Sequence, residues 1–527
     1  MAEEGTGTDS AAQLWVGGKY QPGRGELIPI EDPATGQVFA HSHSATAEDV
    51  EATVQQAHAA FKSGAWSRAP RHHRADVLDK AASLLTASLP DLIALEVRQT
   101  GRAAREMNAQ VPSLVRWFRY FASLLRTEER PVLPTQGQLH NWVDRVPLGV
   151  VVQITPFNHP LLIAVKKIAP ALAAGNSVVV KPSELTPLTT LRLGEILAGA
   201  GVPEGVFSVL PGYGASTGAA LAAHPLVRKV DVTGGTAAGR AIGALAGGNL
   251  ARFTAELGGK APLVIFREAH VDAAVNGAAF GAFVASGQTC VAATRIIVEN
   301  SVLDEVLEKL AAKAESIARG MGSPANPAST MGPLISRRQL DNVEALVDEA
   351  VGGGHARAVV GGARMAGASG LDGTDLSRGY FYPPTVLTST STSDPKSILR
   401  ARIWREEAFG PVVVVAGFDT EAEAVSLAND SEFGLGAAVW TRDLSRAHRV
   451  AGMIEAGIVW VNTHHRNDPS SPWGGITSAS GVGSENGVDA YRAYTAMRST
   501  IVNYASPEES LAEDDWFREG GGSVRYG

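Results

Sequence analysis

From Leu148 onward, short continuous apolar runs alternate with longer stretches whose apolar positions recur every three or four residues. "GVVVQIT" reads as a strand buried on both faces, and "PLLIAVKKIAPALAAG" as a helix opened by Pro160 and closed at Gly175. The alternation continues with "SVVVK" and "PLTTLRLGEILAGAG", then "GVFSVLPG" and "ASTGAALAAH", then "KVDVTG" and "GTAAGRAIGALAG". "ARFTAELGG" closes the set. Continuous β-branched runs separated by helices predict a parallel sheet covered on both faces. Such sheets bind ligands at the carboxyl ends of their strands.

Ahead of this region, "AAQLWVGGKY" and "IPIEDPATGQVFA" predict short strands around glycine-containing turns. Helical patterns run from Ala47 to about Phe61, Arg74 to about Arg98, and Ala103 to Leu125. Behind it, "PLVIF", "RIIVE", "YFYPPTVL", "PVVVVAGF", "GAAVWT" and "GIVWVNT" predict a second α/β unit. Gly361 to Gly379 reads as a glycine-rich polar loop, "TSTSTS" after Leu387 as loop, and the acidic tail from Ser506 as frayed surface.

A chain of 527 residues exceeds one core and predicts two or three domains. Its 45% hydrophobic and 19% charged content is that of an ordinary globular protein. A net charge of −8 without a basic run points away from nucleic acid and anionic membranes as partners. No apolar run is long and clean enough to span a bilayer. The N-terminal "MAEEGTGTDSAAQ" has neither the apolar stretch of a signal peptide nor the arginines of a transit peptide. With a single cysteine, Cys290, no internal disulfide forms, and the expected location is cytoplasmic. No metal site is expected, because H-E-x-x-H and C-x-x-C motifs are absent. His72 and His73 read as a solvated helix end.

Four stretches carry candidate chemistry. The lone thiol sits in "FVASGQTCVAATR". A buried inert cysteine is the commoner case, but the small residues before Cys290 allow a tight turn and a helix start, which activates a thiol. In "TAELGGKAP", Glu256 is either a solvated carboxylate at a strand end or a general base facing a cleft. In "ITPFNHPLL", Asn158 is either a helix cap or a donor to a developing oxyanion. In "VTGGTAAG", Gly234 and Gly239 lie at a strand-to-helix turn suited to a phosphate.

Taken together, "PFNHP", "KPSE", "VTGG", "ELGGK", "GQTC", "EEAFGPV" and "PWGG…SGVGSENG" resemble the aldehyde dehydrogenase superfamily in order and spacing, from about Leu14 to Tyr504. The resemblance implies an α/β fold with a Rossmann-like cofactor domain (1–125 and 148–258), an α/β catalytic domain (259–480), a β oligomerisation arm (126–147 and 481–505) and a tail (506–527). It implies that Cys290 is the nucleophile, Glu256 the general base and Asn158 an oxyanion donor, with Lys167 and Glu485 on a proton path. It implies an NAD cofactor, with NADP possible. Lys181 and Glu184 would hold the adenosine ribose, Gly234, Gly235 and Gly239 would border the pyrophosphate, and Glu407 and Phe409 would hold the nicotinamide end. Thr155, Pro156, Phe157, Ser183, Gly214, Thr233 and Leu257 would complete that site. Glu184 would favour NAD by repelling a 2′-phosphate. A homodimer or homotetramer is implied.

The sequence departs from the family pattern at Phe157, His159, Gly235, Thr477 and Ser484. By motif alignment the aldehyde tunnel would contain His159, Ile163, Lys166, Thr289, Val291, His465, Arg466, Asn467 and Trp473, with Arg116 at its mouth. One reading sends Lys166 and Arg466 to solvent or to Asp468. The other makes the tunnel polar, for a hydroxylated aromatic aldehyde or a carboxylated semialdehyde held by Arg466. Two rival functions are a CoA-acylating relative, against which Glu256 argues, and a non-catalytic binding protein on the same fold.

Overall fold

The computed structural model describes residues 11–391, 393–514, 517, 519 and 520. Most of the chain is built around two sheets. The first has eight strands, in the order Gly481–Val482, Arg252–Glu256, Val227–Thr233, Val150–Ile154, Ser177–Lys181, Phe207–Val209, Leu14–Val16 and Lys19–Gln21. Its five central strands are parallel. Val150–Val152 and Ser177–Lys181 are wholly buried, as their continuous apolar runs require. The chain adds two strands on one side of Val150–Ile154 and then crosses to add two on the other. The switch point lies between Ile154 and Val232, which pair directly. The same register sets Lys181 beside Ile154 and Glu256 beside Thr233. Four chemistry-bearing segments therefore emerge along one carboxyl edge.

The second sheet has seven strands, in the order Ala356–Val360, Thr385–Ser389, Val412–Phe418, Arg295–Glu299, Pro262–Ile265, Gly436–Trp440 and Ile458–Val461. Only the Ala356–Val360 edge runs antiparallel. A three-stranded sheet pairs Thr495–Asn503 with Leu139–Pro147 and that strand with Val132–Leu133.

Several elements differ from the sequence reading. Arg74–Arg98 is two helices, Arg71–Ala87 and Leu89–Thr100, because Pro90 begins a new helix at Ser88. Ala103–Leu125 is likewise broken, by a 3₁₀ turn at Val111–Leu114 that contains Pro112. Gly481–Val482, assigned to the arm, is instead the antiparallel edge of the first sheet against Ala255–Glu256. Thr388 and Ser389 of "TSTSTS" belong to a strand, where Thr388 Oγ1 bonds the Val415 carbonyl. The tail is helical over Pro507–Asp514, with the Ser506 hydroxyl accepting from Glu509 N–H; most residues beyond Asp514 lie outside the described ones. No described helix is long and apolar enough to cross a membrane.

Two devices hold the site on this frame. The helix Pro160–Ala173 starts against buried Glu96, whose carboxylate accepts from Leu161 N–H (3.1 Å), Gln99 (2.9 Å) and the Thr189 hydroxyl (2.7 Å). This fills donors that the first helical turn leaves open. The loop after helix Val271–Phe283 is pinned more tightly still. Ala285 and Ser286 adopt left-handed backbone (φ 54° and 55°), and Ser286 Oγ donates to the Gly332 carbonyl at 2.8 Å. Gln288 accepts from Ile335 N–H at 3.0 Å. A Cβ on Gly259 would fall 2.0 Å from the Cys290 carbonyl oxygen. Gly259→Ala should therefore displace the cysteine loop. We expect a stability loss of about 1–3 kcal/mol in urea unfolding. We also expect a fall in kcat/KM of about 100-fold or more, because catalysis punishes an ångström of misplacement. Wild-type kcat/KM in that variant would refute the close contact.

Candidate active site

A cavity of about 340 Å³ opens where the carboxyl edge of the first sheet meets the cysteine loop. The turn after Ile154 contributes Pro156, Phe157, Asn158 and His159 to its wall, and the following helix contributes Leu162, Ile163 and Lys166. Thr233, Gly234 and Gly235 come from the next strand end, and Leu257 and Gly258 from the one after. Thr289 and Cys290 form its floor, with Glu407 and Phe409 on one side and His465, Asn467 and Trp473 on the other. Segments more than 300 residues apart in sequence thus share one space.

Cys290 stands in a turn; the helix start allowed by its neighbours does not form, because Ala285 to Gly287 all take positive φ. No helix dipole activates the sulfur. Burial pushes the Cys290 thiol up to about 12, and the Glu256 and Glu407 carboxylates add to the effect. Asn158 Nδ2 donates to the Gln288 carbonyl at 2.8 Å, which orients the amide beside the cysteine loop and leaves its second N–H. Glu256 is buried at its strand end and its carboxylate accepts no hydrogen bond from the described residues. Burial, then the Glu485 charge, hold its carboxyl well above the usual range.

Behind the cavity lies a buried ionic cluster. Glu485 pairs with Lys166 at 2.8 Å and with Lys167 at 2.5 Å. Lys167 also pairs with Asp231, which accepts from the Tyr494 hydroxyl at 2.5 Å. Burial works against the Glu485 charge, but the two lysines outweigh it and hold its carboxyl below the ordinary value. Lys167 was expected beside Glu485; Lys166, read either as a tunnel residue or as reaching solvent or Asp468, is buried and shares that carboxylate. Asp231 and Tyr494 belong to the cluster too, and no motif in the sequence marks them.

The dinucleotide edge has the shape for a phosphate ligand. Cβ atoms on Gly234 and Gly235 would meet nothing within 4 Å, and the helix Thr236–Gly248 starts there without a side-chain cap. Gly239 serves packing instead, since a Cβ would lie 2.4 Å from Leu257 Cδ2. Buried Lys181 has Glu184 at 3.4 Å. Thr155 and Ser183 follow the same two strand ends, and Gly214 opens a one-turn π-helix after the third. Burial pushes Glu407 up to about 7, against the donation of Gly259 N–H at 3.0 Å. Phe409 is held at φ 51° with its ring edge-on to Phe157. These groups fit a nicotinamide dinucleotide: open glycines at a helix start, with a buried lysine and two carboxylates along the same edge.

Two tunnel expectations are corrected. Val291 is fully buried in the second core and lines no part of the cavity. Arg466 lines an outer recess of about 600 Å³ that shares His159, Leu162 and His465 with the cavity, not the cavity itself; Arg116, expected at the mouth, lines the same recess. Asp468 pairs with Arg116, leaving Arg466 with a 3.4 Å bond to Thr463 Oγ1. Gln110, Leu162 and Gln339 also reach the cavity, from positions with no distinguishing sequence signal.

A half-buried thiol, a buried carboxylate and an amide donor beside a dinucleotide edge define an α/β oxidoreductase that works through covalent chemistry on sulfur. The aldehyde dehydrogenase family model matches residues 20–500, and the chain belongs to that family. It is an NAD(P)-dependent aldehyde dehydrogenase. It is similar to the (Z)-2-((N-methylformamido)methylene)-5-hydroxybutyrolactone dehydrogenase of Acinetobacter baylyi, with 37% identity across 92% of this chain and 96% of that protein. It is 38% identical to the betaine aldehyde dehydrogenase of Mesorhizobium japonicum, across 94% of this chain and 99% of the relative. The crystal structure of PnpE, a protein from Pseudomonas sp. WBC-3, in complex with nicotinamide adenine dinucleotide matches with a TM-score of 0.88 and 38% identity, covering 94% and 98% of the two chains.

The raised thiol sets a pH dependence. Below a pKa of about 12, each added pH unit increases the thiolate about tenfold. In the protein without cofactor, alkylation of Cys290 by iodoacetamide should accelerate about tenfold per unit from pH 7 to 10. A plateau by pH 8 would show that the thiol is not raised.

Proposed function

We propose that the chain oxidises an uncharged polar aldehyde, no larger than a small substituted ring, to its carboxylic acid, with NAD preferred over NADP. The carrying observation is the wall of the cavity. Phe157, Leu162, Ile163 and Trp473 make it apolar, while His159 and His465 supply neutral imidazoles. Burial, then Arg102, holds His465 down at about 4, and the same causes lower His159. His465 Nε2 lies 3.3 Å from Thr289 Oγ1, one residue from the nucleophile. Neutral imidazoles exchange hydrogen bonds with hydroxyls and carbonyls without the desolvation cost of a charge. A relative named for a hydroxybutyrolactone has a substrate of that neutral, oxygen-rich kind.

In this reading Cys290 thiolate attacks the aldehyde carbon, and Asn158 with the Cys290 N–H stabilises the oxyanion. Bound nicotinamide supplies hydride acceptance. Cys290 then carries a thioester, and Glu256 takes a proton from the water that cleaves it. Lys167 and Glu485 relay that proton away. Thr155 to Phe157, Lys181, Ser183, Glu184, Gly214, Thr233 to Gly235, Leu257, Glu407 and Phe409 form the cofactor site, with Glu184 disfavouring a 2′-phosphate. The first sheet is the cofactor domain, the second the catalytic domain, and the three-stranded sheet the arm. Self-association to a dimer or tetramer through that arm is supported by its exposed Met497, Ile501 and Tyr504 (71%, 59% and 63%). A single thiol suits the reducing cytoplasm.

Glu256→Gln should separate the half-reactions: one equivalent of NADH early, then slow turnover, with Cys290→Ala giving none while still binding NAD. Near wild-type steady-state turnover by Glu256→Gln would remove it as the base. For the substrate, kcat/KM for 4-hydroxybenzaldehyde should exceed that for hexanal, and His465→Phe should shrink the ratio about tenfold, the worth of one hydrogen bond. The same assay with NADP should give kcat/KM at least about tenfold lower. An unchanged ratio in His465→Phe, or equal use of both cofactors, would overturn the corresponding part.

A further inference from the structure

Lys166 has a position that the oxidation chemistry does not require. It is 1% exposed, yet it is the one member of the ionic cluster that lines the cavity; Lys167, Asp231 and Glu485 stand behind it. Its ammonium lies 4.6 Å from the ring centroid of Trp473, over the indole face, and Trp473 lines the same cavity. The arrangement is fixed from both sides. Glu485 holds the ammonium at 2.8 Å, and Glu485 and Trp473 bond each other through their backbones, N–H to carbonyl in both directions, at 2.8 and 2.6 Å.

An indole face in a dry pocket is the preferred seat of a cationic ligand group. Here the protein's own ammonium takes that seat. We infer that Lys166 is a specificity-determining residue which, by occupying the Trp473 face, makes the cavity reject cationic aldehydes and admit neutral ones. This rests on the reading of the cavity as the aldehyde site.

The surrounding charges agree. The cluster is balanced, two lysines against Asp231 and Glu485, so its buried carboxylates leave no net negative field to recruit a cation. Arg102 adds a positive charge from behind the wall, with Nη1 2.7 Å from His159 Nδ1. Glu407, the carboxylate that lines the cavity, accepts from Gly259 N–H on the cofactor side, and Glu256 is not among the lining residues. A trimethylammonium group entering here would meet Lys166 at close range in a medium that screens poorly.

The test uses an isosteric pair: 3,3-dimethylbutanal and its charged counterpart trimethylammonioacetaldehyde, which differ by carbon against nitrogen. The ratio of their kcat/KM values is compared among wild type, Lys166→Met and Lys166→Arg at saturating NAD, so that differences in aldehyde hydration cancel. We expect Lys166→Met to raise the relative use of the cation at least tenfold and Lys166→Arg to stay within threefold of wild type. A ratio unchanged in Lys166→Met, with 3,3-dimethylbutanal still oxidised, overturns the inference. Failure of wild type to oxidise either aldehyde would break the reading of the cavity, a separate result.

Lys166 also holds Glu485, so a second measurement avoids turnover. Protection of Cys290 from iodoacetamide is compared for choline and its neutral isostere 3,3-dimethylbutan-1-ol. In wild type the alcohol should protect and choline should not; in Lys166→Met both should. Equal protection of wild type by choline and the alcohol overturns the proposal.

Discussion

The ion pairs that Glu485 makes with Lys166 and Lys167 are the constraint on which the site depends. They join a segment near the end of the chain to the helix Pro160–Ala173 of the first sheet. Through Lys167 and Asp231 they reach the neighbouring strand, and through Tyr494 the start of the strand Thr495–Asn503. Removing one charge from such a buried group leaves its partner uncompensated, which typically costs about 3–5 kcal/mol. The late segment, which carries Trp473 and borders Glu256, is therefore held by electrostatics that only a closed fold can supply. The charged cluster is the wall on which the cavity is built.

Burial has a second consequence at the front of the same wall. The thiol, Glu256 and Glu407 are all pushed toward their neutral forms by exclusion from water. His159 and His465 are neutral for the same reason. A cavity walled by apolar side chains and neutral imidazoles around one fixed ammonium is a selective environment. Neutral polar groups are cheap to admit, and added charge is not. Strain contributes as well: Phe409 and His465 keep left-handed backbone at the two ends of the cavity, a cost that the packing around them sustains.

Much of this was legible in the sequence. Alternating β-branched runs and helices determined the parallel sheet, because a strand buried on both faces can tolerate little else. The motif order placed Glu256, Asn158 and Lys181 at strand ends or in the turns beside them, whereas the helix start read at Cys290 is a turn. Strand register then did the rest, since Ile154, Lys181, Thr233 and Glu256 pair in adjacent rows. Glycine positions were legible as chemistry but not as cause. Gly239 is small because Leu257 packs on it, and Gly259 because the Cys290 carbonyl does.

Tertiary structure alone decided how the charges are shared. Lys166 and Lys167 are adjacent in sequence, and nothing local says that both meet Glu485. The sequence offers Asp468 to Lys166 or Arg466, and only the packed geometry gives that carboxylate to Arg116. Val291 follows the nucleophile yet turns into the core, because the cysteine loop takes three positive-φ residues before it reaches Cys290. Local pattern determines which faces are buried, since hydrophobic periodicity is a property of neighbours in the chain. Which buried charge finds which partner depends on distances between residues hundreds of positions apart, and those exist only after folding.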